Sequence, residues 1–429
     1  MRGLEATYPP SWHVTTIEAN TSSPLPDVQA AVTAALASPL YTLPLRQMAR
    51  RTMSVCIVFT DATQACPDKI LVPALLRELA LAGVPEEHIT LLCATGMHPS
   101  STFEEKIAKL GADVALRYQV MDHDAHNPAS LANLGTVGRP HLNLPADVPV
   151  FVNRLAAEAD LLVATGSVEP HPYAGYSGGG KNVVIGCGGE ATISVTHSPA
   201  FLDDPRMRLG RVAANPYQAV IREGAKRAGL DFVVNVVMDA DRQMAAVQAG
   251  NPVAVHEQLV ASAMRLFEVP VPHQYDVVVA GVTTPRDENL YQAVRAPIYV
   301  GLSPTPVVRE GGVVITSARC PEGPGRGPHE QRFFDRMSQA SDLNALLSDL
   351  RQCGIQAGEQ RAYTLAQVLV GHTVIIVGAE CPDVVRDCKM VPAATMDEAV
   401  SITCRIVGDQ ASALVLPHAL QTLPVVGGY

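Results

Sequence analysis

The sequence predicts an α/β protein of two domains, each a mainly parallel sheet flanked by helices. Three observations predict it. Short runs rich in Val, Ile and Leu alternate with longer helical stretches, the pattern of buried parallel strands joined through helices. The chain has 429 residues, beyond the length at which a single core keeps growing. Hydrophobic residues make up 47% against 17% charged, and aromatics only 5%, so the cores are built from Val, Leu, Ile and Ala.

The elements follow in chain order. Apolar runs place strands at 54–60, 89–94, 160–165, 232–238, 275–280, 313–317, 373–377 and 413–416. Between them, helical spacing places helices at 72–82, 103–110, 216–228, 252–267 and 343–353, while 326–336 reads as a loop entering a helix. The run Val269-Pro270-Val271-Pro272 is stiff and extended, as suits a boundary. It divides the chain into an N-terminal domain, 1–272, and a C-terminal α/β domain, 273–429. No internal repeat stands out.

Composition also excludes partners. A formal net charge of −10, with no basic tract, argues against nucleic acid, whose phosphates need a basic surface. The first ten residues lack the apolar core of a signal peptide, and no apolar run is long enough to span a membrane. The nine cysteines are scattered and odd in number, as expected of thiols buried in a reducing cytoplasm. The expected location is therefore cytoplasmic, with no membrane partner.

The chemistry concentrates between Glu169 and His197. There Glu169-Pro-His171 precedes Ser177-Gly178-Gly179-Gly180-Lys181, so histidine and lysine flank a glycine triplet. Glycine lets a backbone approach a bulky ligand, lysine serves as cation or nucleophile, and imidazole moves protons or binds a borderline metal. The segment from Gly175 to Asn182 nearly matches a phosphate loop. Asn182 stands where a magnesium-binding hydroxyl belongs, however, and the preceding strand ends about ten residues too early. A cofactor-contacting loop fits better than a nucleotide-hydrolysing one, and a glycine turn with a solvated lysine stays open.

Asp61, His98 and His171 each follow a predicted strand, and open parallel sheets bind ligands beyond the carboxyl ends of their strands. By itself His197 reads as structural. His123 and His126 look metal-like by composition but read as a polar loop, and His329 as a helix-entry residue. Arg295, one helical turn beyond Tyr291 and close to Gln292, could hold a carboxylate in two-pronged fashion or lie on a helix surface.

Together these segments resemble the nickel-pincer-nucleotide lactate racemase family over nearly the whole chain. The resemblance rests on Asp61-Ala-Thr63, Ala94-Thr-Gly-Met-His98, Glu169 through Lys181, Thr192 through Ser198, Asn215-Pro216, Asp287 through Gln292, and Gly311-Gly312. It implies a site in the cleft between the two domains. It implies that Lys181 carries the cofactor, pyridinium-3-thioamide-5-thiocarboxylic acid mononucleotide with nickel, and that His197 completes the metal's coordination. His98 and His171 are implied as acid/base residues on opposite faces of the substrate, and Asp61, Ser177, Gly178 and Gly179 as cofactor contacts. The implied reaction is racemisation or epimerisation of a 2-hydroxy acid by reversible hydride transfer, which avoids a carbanion beside a carboxylate. Cofactor-biosynthesis proteins are implied as partners.

Two departures concern the substrate. Many family members have arginine where this chain has Gln64, and lysine where it has Arg295; a family tryptophan is also missing, since Trp12 is the only one. Losing one cation weakens carboxylate binding, while guanidinium and ammonium hold carboxylates differently. The expected substrate is therefore a larger or more polar 2-hydroxy acid than lactate, with Gln64, Arg295, Tyr291 and Gln292 contacting it. The competing readings are an ATPase built on the glycine loop and a non-catalytic hydroxy-acid-binding protein.

Overall fold

The computed structural model describes residues 8–427. Among them the chain divides into two compact α/β units, and the division is discontinuous in sequence. One unit comprises 21–196 and 212–266; the other gathers 8–20, 197–211 and 267–427. The segment bearing His197 therefore belongs with the C-terminal unit, although the chain on either side of it does not.

The first unit is built on a six-stranded sheet. Its order is Met244–Gly250, Leu230–Met238, Leu161–Ser167, Val55–Thr60, Ile89–Ala94 and Gln119–Asp122, parallel throughout except for the first pair. Every residue of Val55–Thr60 and of Leu161–Ser167 is buried, so these central strands read as unbroken apolar runs rather than alternating ones. On one face, Ile57, Phe59, Leu91 and Val163 pack against Leu71, Leu75 and Leu79 of the helix Asp68–Leu81. On the other lie the turn Asn182–Gly186 and the helix Pro216–Arg227. Gly186 is required there, because a Cβ would sit 2.7 Å from that of Ala94.

The second unit is built on a six-stranded, all-parallel sheet in the order His13–Thr16, Ser412–Leu416, Tyr275–Ala280, Val308–Ser317, Thr373–Val377 and Val391–Ala393. Trp12 and the helix Met396–Val407 cover one face, packing Met396, Ala399 and Val400 on Val277, Val279, Val313 and Ile375. The helices Arg295–Gly301 and Glu359–Gly371 pack together on the strands Tyr275–Ala280 and Val308–Ser317. The Val269–Pro272 run is extended as expected, its first residues lying in the strand Glu268–Val271, which pairs with Leu423–Val426. The 326–336 region is a helix for most of its length, Pro328–Gln339, which Glu330 caps by accepting from the Gly327 amide at 2.7 Å. No helix among the described residues is long and apolar enough to cross a membrane.

Candidate functional site

Three adjacent parallel strands of the first unit, Leu161–Ser167, Val55–Thr60 and Ile89–Ala94, deliver His171, Asp61 and His98 beyond their carboxyl ends. Two of the three groups touch. Nδ1 of His98 lies 2.7 Å from Oδ2 of Asp61, whose other oxygen accepts from the Thr63 hydroxyl at 2.8 Å. The imidazole is half exposed and the carboxylate buried. Burial alone would raise the Asp61 carboxyl; the hydrogen bonds from His98 and Thr63 and the nearby Lys109 charge outweigh it and hold the group below the usual carboxylate range. Asp61 thus emerges as the partner of His98, a role that spacing did not disclose.

The loop carrying Asp61 and Gln64 is fixed from below. The largely buried Lys109 ammonium donates to the hydroxyl of Thr60 at 2.7 Å and to the carbonyls of Gln64 at 3.1 Å and Cys66 at 3.0 Å. Asp68, fully buried, balances its charge at 3.0 Å and also accepts from Thr60 and Thr165. A buried ion pair survives only when its remaining donors and acceptors are satisfied, as here. Neither residue was singled out from sequence: Asp68 lies ahead of the helix expected at 72–82, and Lys109 is one of several charges within the one expected at 103–110.

His171 lies in a short antiparallel hairpin, Pro170–His171 against Gly175–Tyr176. Its Nδ1 accepts from the backbone N–H groups of Tyr173 at 3.2 Å and Ala174 at 3.1 Å. Asn215, singled out in sequence beside Pro216, caps the following helix and donates to the Tyr173 carbonyl at 2.8 Å.

The glycine triplet serves packing. A Cβ on Gly178, whose φ is +92°, would come within 2.6 Å of Val168, and one on Gly180 within 2.5 Å of Ala225; Gly179, also at positive φ, lies against His256. The Ser177 hydroxyl is turned onto the protein, donating to the Ser167 carbonyl at 2.7 Å and accepting from the Glu169 amide at 3.1 Å. Nε2–H of His256 donates to the Ser177 carbonyl at 3.1 Å, and burial, helped by Arg222, pushes this imidazole down to about 4, so it is neutral. Asn235 accepts from the Gly179 amide at 2.7 Å, while its buried Nδ2 has no partner among the described residues. An orphaned donor under the loop suits a bound acceptor.

Lys181, half-buried, opens a π-helical turn, Asn182–Gly186. Such turns are rare and recur at functional sites. Asn182 donates to the Thr165 carbonyl at 2.7 Å, so the residue that breaks the phosphate-loop pattern ties the turn to the sheet. The strand before the loop ends at Ser167, eight residues before Gly175. His197, half-buried, follows the helix Glu190–Thr196 and precedes Pro199–Leu202. That segment is anchored within the second unit by Asp203, which accepts from Tyr363 at 2.6 Å, Gln367 at 2.9 Å and Arg351. Within the first unit, an amine nucleophile and an orphaned amide are groups that a tethered nucleotide could use.

In the second unit, Asn289 caps the short helix Leu290–Ala293, which carries Tyr291 and Gln292. Tyr291 meets Phe333 edge-on, with 5.6 Å between ring centroids, and the guanidinium of Arg361 lies over its ring, 4.4 Å from the centroid. Arg286 donates to Oε1 of Gln292 at 2.9 Å, orienting the amide so that its NH2 points elsewhere. Arg295 donates to the Tyr299 hydroxyl at 3.2 Å. Arg286 and Arg361 went unremarked in the sequence, because isolated arginines carry no pattern.

The remaining histidines separate. His123 is buried rather than in a solvated loop: Nε2 meets the Gly188 carbonyl at 2.9 Å and Nδ1 the Asn153 amide at 3.1 Å, and burial pushes its imidazole below the usual range. His126 is exposed and faces Glu190. Replacing His123 with Ala should therefore cost about 2–4 kcal/mol of stability through the unpaired Gly188 and Asn153 groups and the cavity, which thermal unfolding checks.

Residues 2–210 match the model of the lactate racemase N-terminal domain, and 272–423 that of the lactate racemase C-terminal domain. A lactate racemase from Thermoanaerobacterium thermosaccharolyticum is 31% identical over 391 residues, covering 91% of this chain and 88% of that protein. One from Lactiplantibacillus plantarum is 30% identical over 397 residues, covering 91% and 90%. The structure of the T. thermosaccharolyticum lactate racemase apoprotein superposes with a TM-score of 0.85 at 28% identity, covering 95% of this chain and 94% of that one. A Thermotoga maritima protein shares the fold, with a TM-score of 0.71 at 19% identity. By these matches, spanning both units, the chain belongs to the lactate racemase family.

Proposed function

We propose that the protein is a racemase or epimerase of a 2-hydroxy acid, and that His98, His171, Lys181 and His197 carry the reaction. The observation that carries this reading is the Asp61–His98 pair at the carboxyl ends of adjacent parallel strands, with His171 beyond the next strand. A buried carboxylate on Nδ1 fixes the imidazole's orientation and supports a positive charge on it, as a group that takes and returns a hydroxyl proton requires.

Lys181 would hold a nickel-pincer nucleotide covalently, with His197 as the protein ligand to nickel, and separate biosynthetic proteins would supply the group. Bound there, it provides an electron-poor centre able to accept the Cα hydrogen as hydride. The protein's own residues do the rest. Arg295 binds the substrate carboxylate, Gln292 offers its NH2 to a substrate oxygen, and Tyr291, in contact with Arg361 and Phe333, shapes the wall. Ser177 and Asn235 brace the loop that leads to Lys181. The enzyme would work in the reducing cytoplasm, where its nine cysteines stay thiols.

The substrate is larger or more polar than lactate. Gln64 presents a neutral amide where a guanidinium would hold a carboxylate, and its backbone carbonyl accepts from Lys109 at 3.1 Å. An amide suits a further hydroxyl, as in a sugar acid. Turnover of lactate, malate and gluconate by cofactor-loaded protein tests this, with faster interconversion of a polyhydroxy acid expected; activity confined to lactate refutes the shift. Nickel with a mass adduct on Lys181 is expected in the same preparation, and magnesium-dependent ATP hydrolysis without nickel would replace the reading altogether.

A further inference from the structure

Two cysteines meet where neighbouring parallel strands of the second unit end. The strands Val308–Ser317 and Thr373–Val377 stay bonded past their last paired residues. The Ala318 amide donates to the Val377 carbonyl at 3.1 Å, and the Glu380 amide to the Arg319 carbonyl at 2.7 Å. The Arg319 and Glu380 side chains form an ion pair across the same step. Neighbouring strands lie about 4.8 Å apart, inside the span of about 4.4–6.8 Å between Cα atoms that a disulfide bridges. The next residues along, Cys320 and Cys381, are free thiols that hydrogen-bond one another, and Sγ of Cys381 also lies 3.5 Å from the Cys320 carbonyl oxygen. The two differ in environment. Cys381 is half-buried, and the hydrogen bond from Cys320 holds its thiol below the usual range. Cys320 is fully buried, and that same bond, together with burial, pushes it up. An accessible sulfur that ionises early, beside a buried thiol, is the pairing of an attacking and a resolving cysteine. Other cysteines lack it: burial pushes Cys56, Cys93 and Cys388 up to about 12, and a hydrogen bond to Asp349 raises the exposed Cys353. Cys320 also has a φ of +49°, a left-handed conformation disfavoured for residues with a Cβ, and such an outlier points to a role for its side chain.

We propose that Cys320 and Cys381 close into a reversible disulfide when the protein meets hydrogen peroxide, and that the closed pair stiffens the segment bearing Tyr291 and Gln292. The Cys381 thiolate attacks one peroxide oxygen, the O–O bond breaks, and its electron pair leaves with the other oxygen as hydroxide. Cys381 is then a sulfenic acid. The Cys320 sulfur attacks the Cys381 sulfur, the S–O bond breaks, and the departing hydroxide takes the Cys320 proton as water. The two thiols have lost two electrons and the peroxide has gained them. A low-molecular-weight thiol reopens the pair by exchange and is itself oxidised to a disulfide, so a reducing compartment keeps the pair open. The link to the segment runs through the backbone. The Cys320 amide donates to the Asp287 carbonyl at 2.8 Å, the Glu322 amide to that of Glu288 at 3.0 Å, and the Leu290 amide to that of Gly323 at 2.8 Å. Residues 287–290 thus hang on the loop 320–323, and tying Cys320 to the next strand end removes freedom from both. This thiol chemistry is independent of the reaction proposed above.

Non-reducing peptide mapping of the full chain, treated with hydrogen peroxide and then with an alkylating agent, tests the chemistry. The first product should be a Cys320–Cys381 link that dithiothreitol reverses. A first link between any other pair, or an oxidised Cys381 with Cys320 still free to alkylate, overturns the proposal. Cys320→Ser should leave a sulfenic acid on Cys381 that dimedone captures, and in Cys381→Ser the Cys320 thiol should stay unoxidised. Oxidation of Cys320 without Cys381 would contradict the order of attack. Hydrogen exchange on the wild-type chain, which needs no variant to fold, reads the stiffening. After oxidation the amides of Cys320 and Leu290 should exchange at least about tenfold more slowly, at the low end of what a cross-link contributes. Exchange that is the same in the open and closed forms would sever the pair from the segment and overturn that half of the proposal.

Discussion

Lys181→Ala should abolish both the cofactor adduct and interconversion of stereoisomers. Lys181 has helical backbone angles, φ −59° and ψ −40°, at the mouth of the π-helical turn, and alanine is the residue that accepts those angles most readily. The fold should therefore survive, and the loss should be chemical. Without the amine there is no covalent tether, and the rate should fall toward that of the uncatalysed reaction, a loss of at least about 10⁶-fold. Intact mass and a stereospecific assay on protein loaded in the same way check the two halves of the expectation. A variant that stays folded, lacks the adduct and still turns over normally would remove lysine from the mechanism.

Asp61→Asn should be nearly as damaging. Thr63 donates to one carboxylate oxygen, which favours keeping the asparagine oxygen on that side and turning its NH2 toward Nδ1 of His98. A donor there forces the imidazole proton onto Nε2, the nitrogen that must accept the substrate's proton. The expected result is a fall of about 10²–10⁴-fold in kcat with KM little changed, the full worth of a general base. The Asp68–Lys109 contact stays in place, but the favourable interactions of the Asp61 charge with His98 and Lys109 are lost, so a modest fall in thermal stability should accompany the loss of activity. A comparable fall in KM-dependent terms alone would assign Asp61 to substrate binding instead.

Much of the fold was legible because the central strands are buried on both faces. Ile89–Ala94, Tyr275–Ala280 and Thr373–Val377 begin and end where their apolar runs do, and the helices Phe103–Leu110, Pro252–Phe267 and Leu343–Cys353 match their periodicity. Elements that face solvent on one side escaped. The hairpin of Leu131–Val137 with Val148–Asn153 and the edge strands Gln119–Asp122 and Met244–Gly250 mix polar and apolar residues, so no unbroken run announces them. The helix Glu359–Gly371 was also passed over.

The site divides in the same way. Asp61, His98 and His171 were legible because each lies just past a strand whose end the apolar run marks. What each one touches was not, since the carboxylate on His98, the amides on His171 and the ammonium under Gln64 come together through turns whose geometry leaves no periodic trace. The glycine triplet was conspicuous in sequence for closeness to a ligand; in the fold its missing side chains make room for Val168, His256 and Ala225.

The strand His13–Thr16 has a practical consequence for anyone wishing to study the two halves apart. It donates and accepts along Ser412–Leu416, with the His13 amide on the Ala411 carbonyl at 2.9 Å and the Ile17 amide on that of Val415 at 3.0 Å. A fragment beginning at 273 would be expressed with that row of backbone groups bare and with the Trp12 indole missing from its interior, which invites sticky edge-to-edge pairing. Dissection by a single cut therefore fails by construction, and a soluble C-terminal piece would need its first strand grafted back.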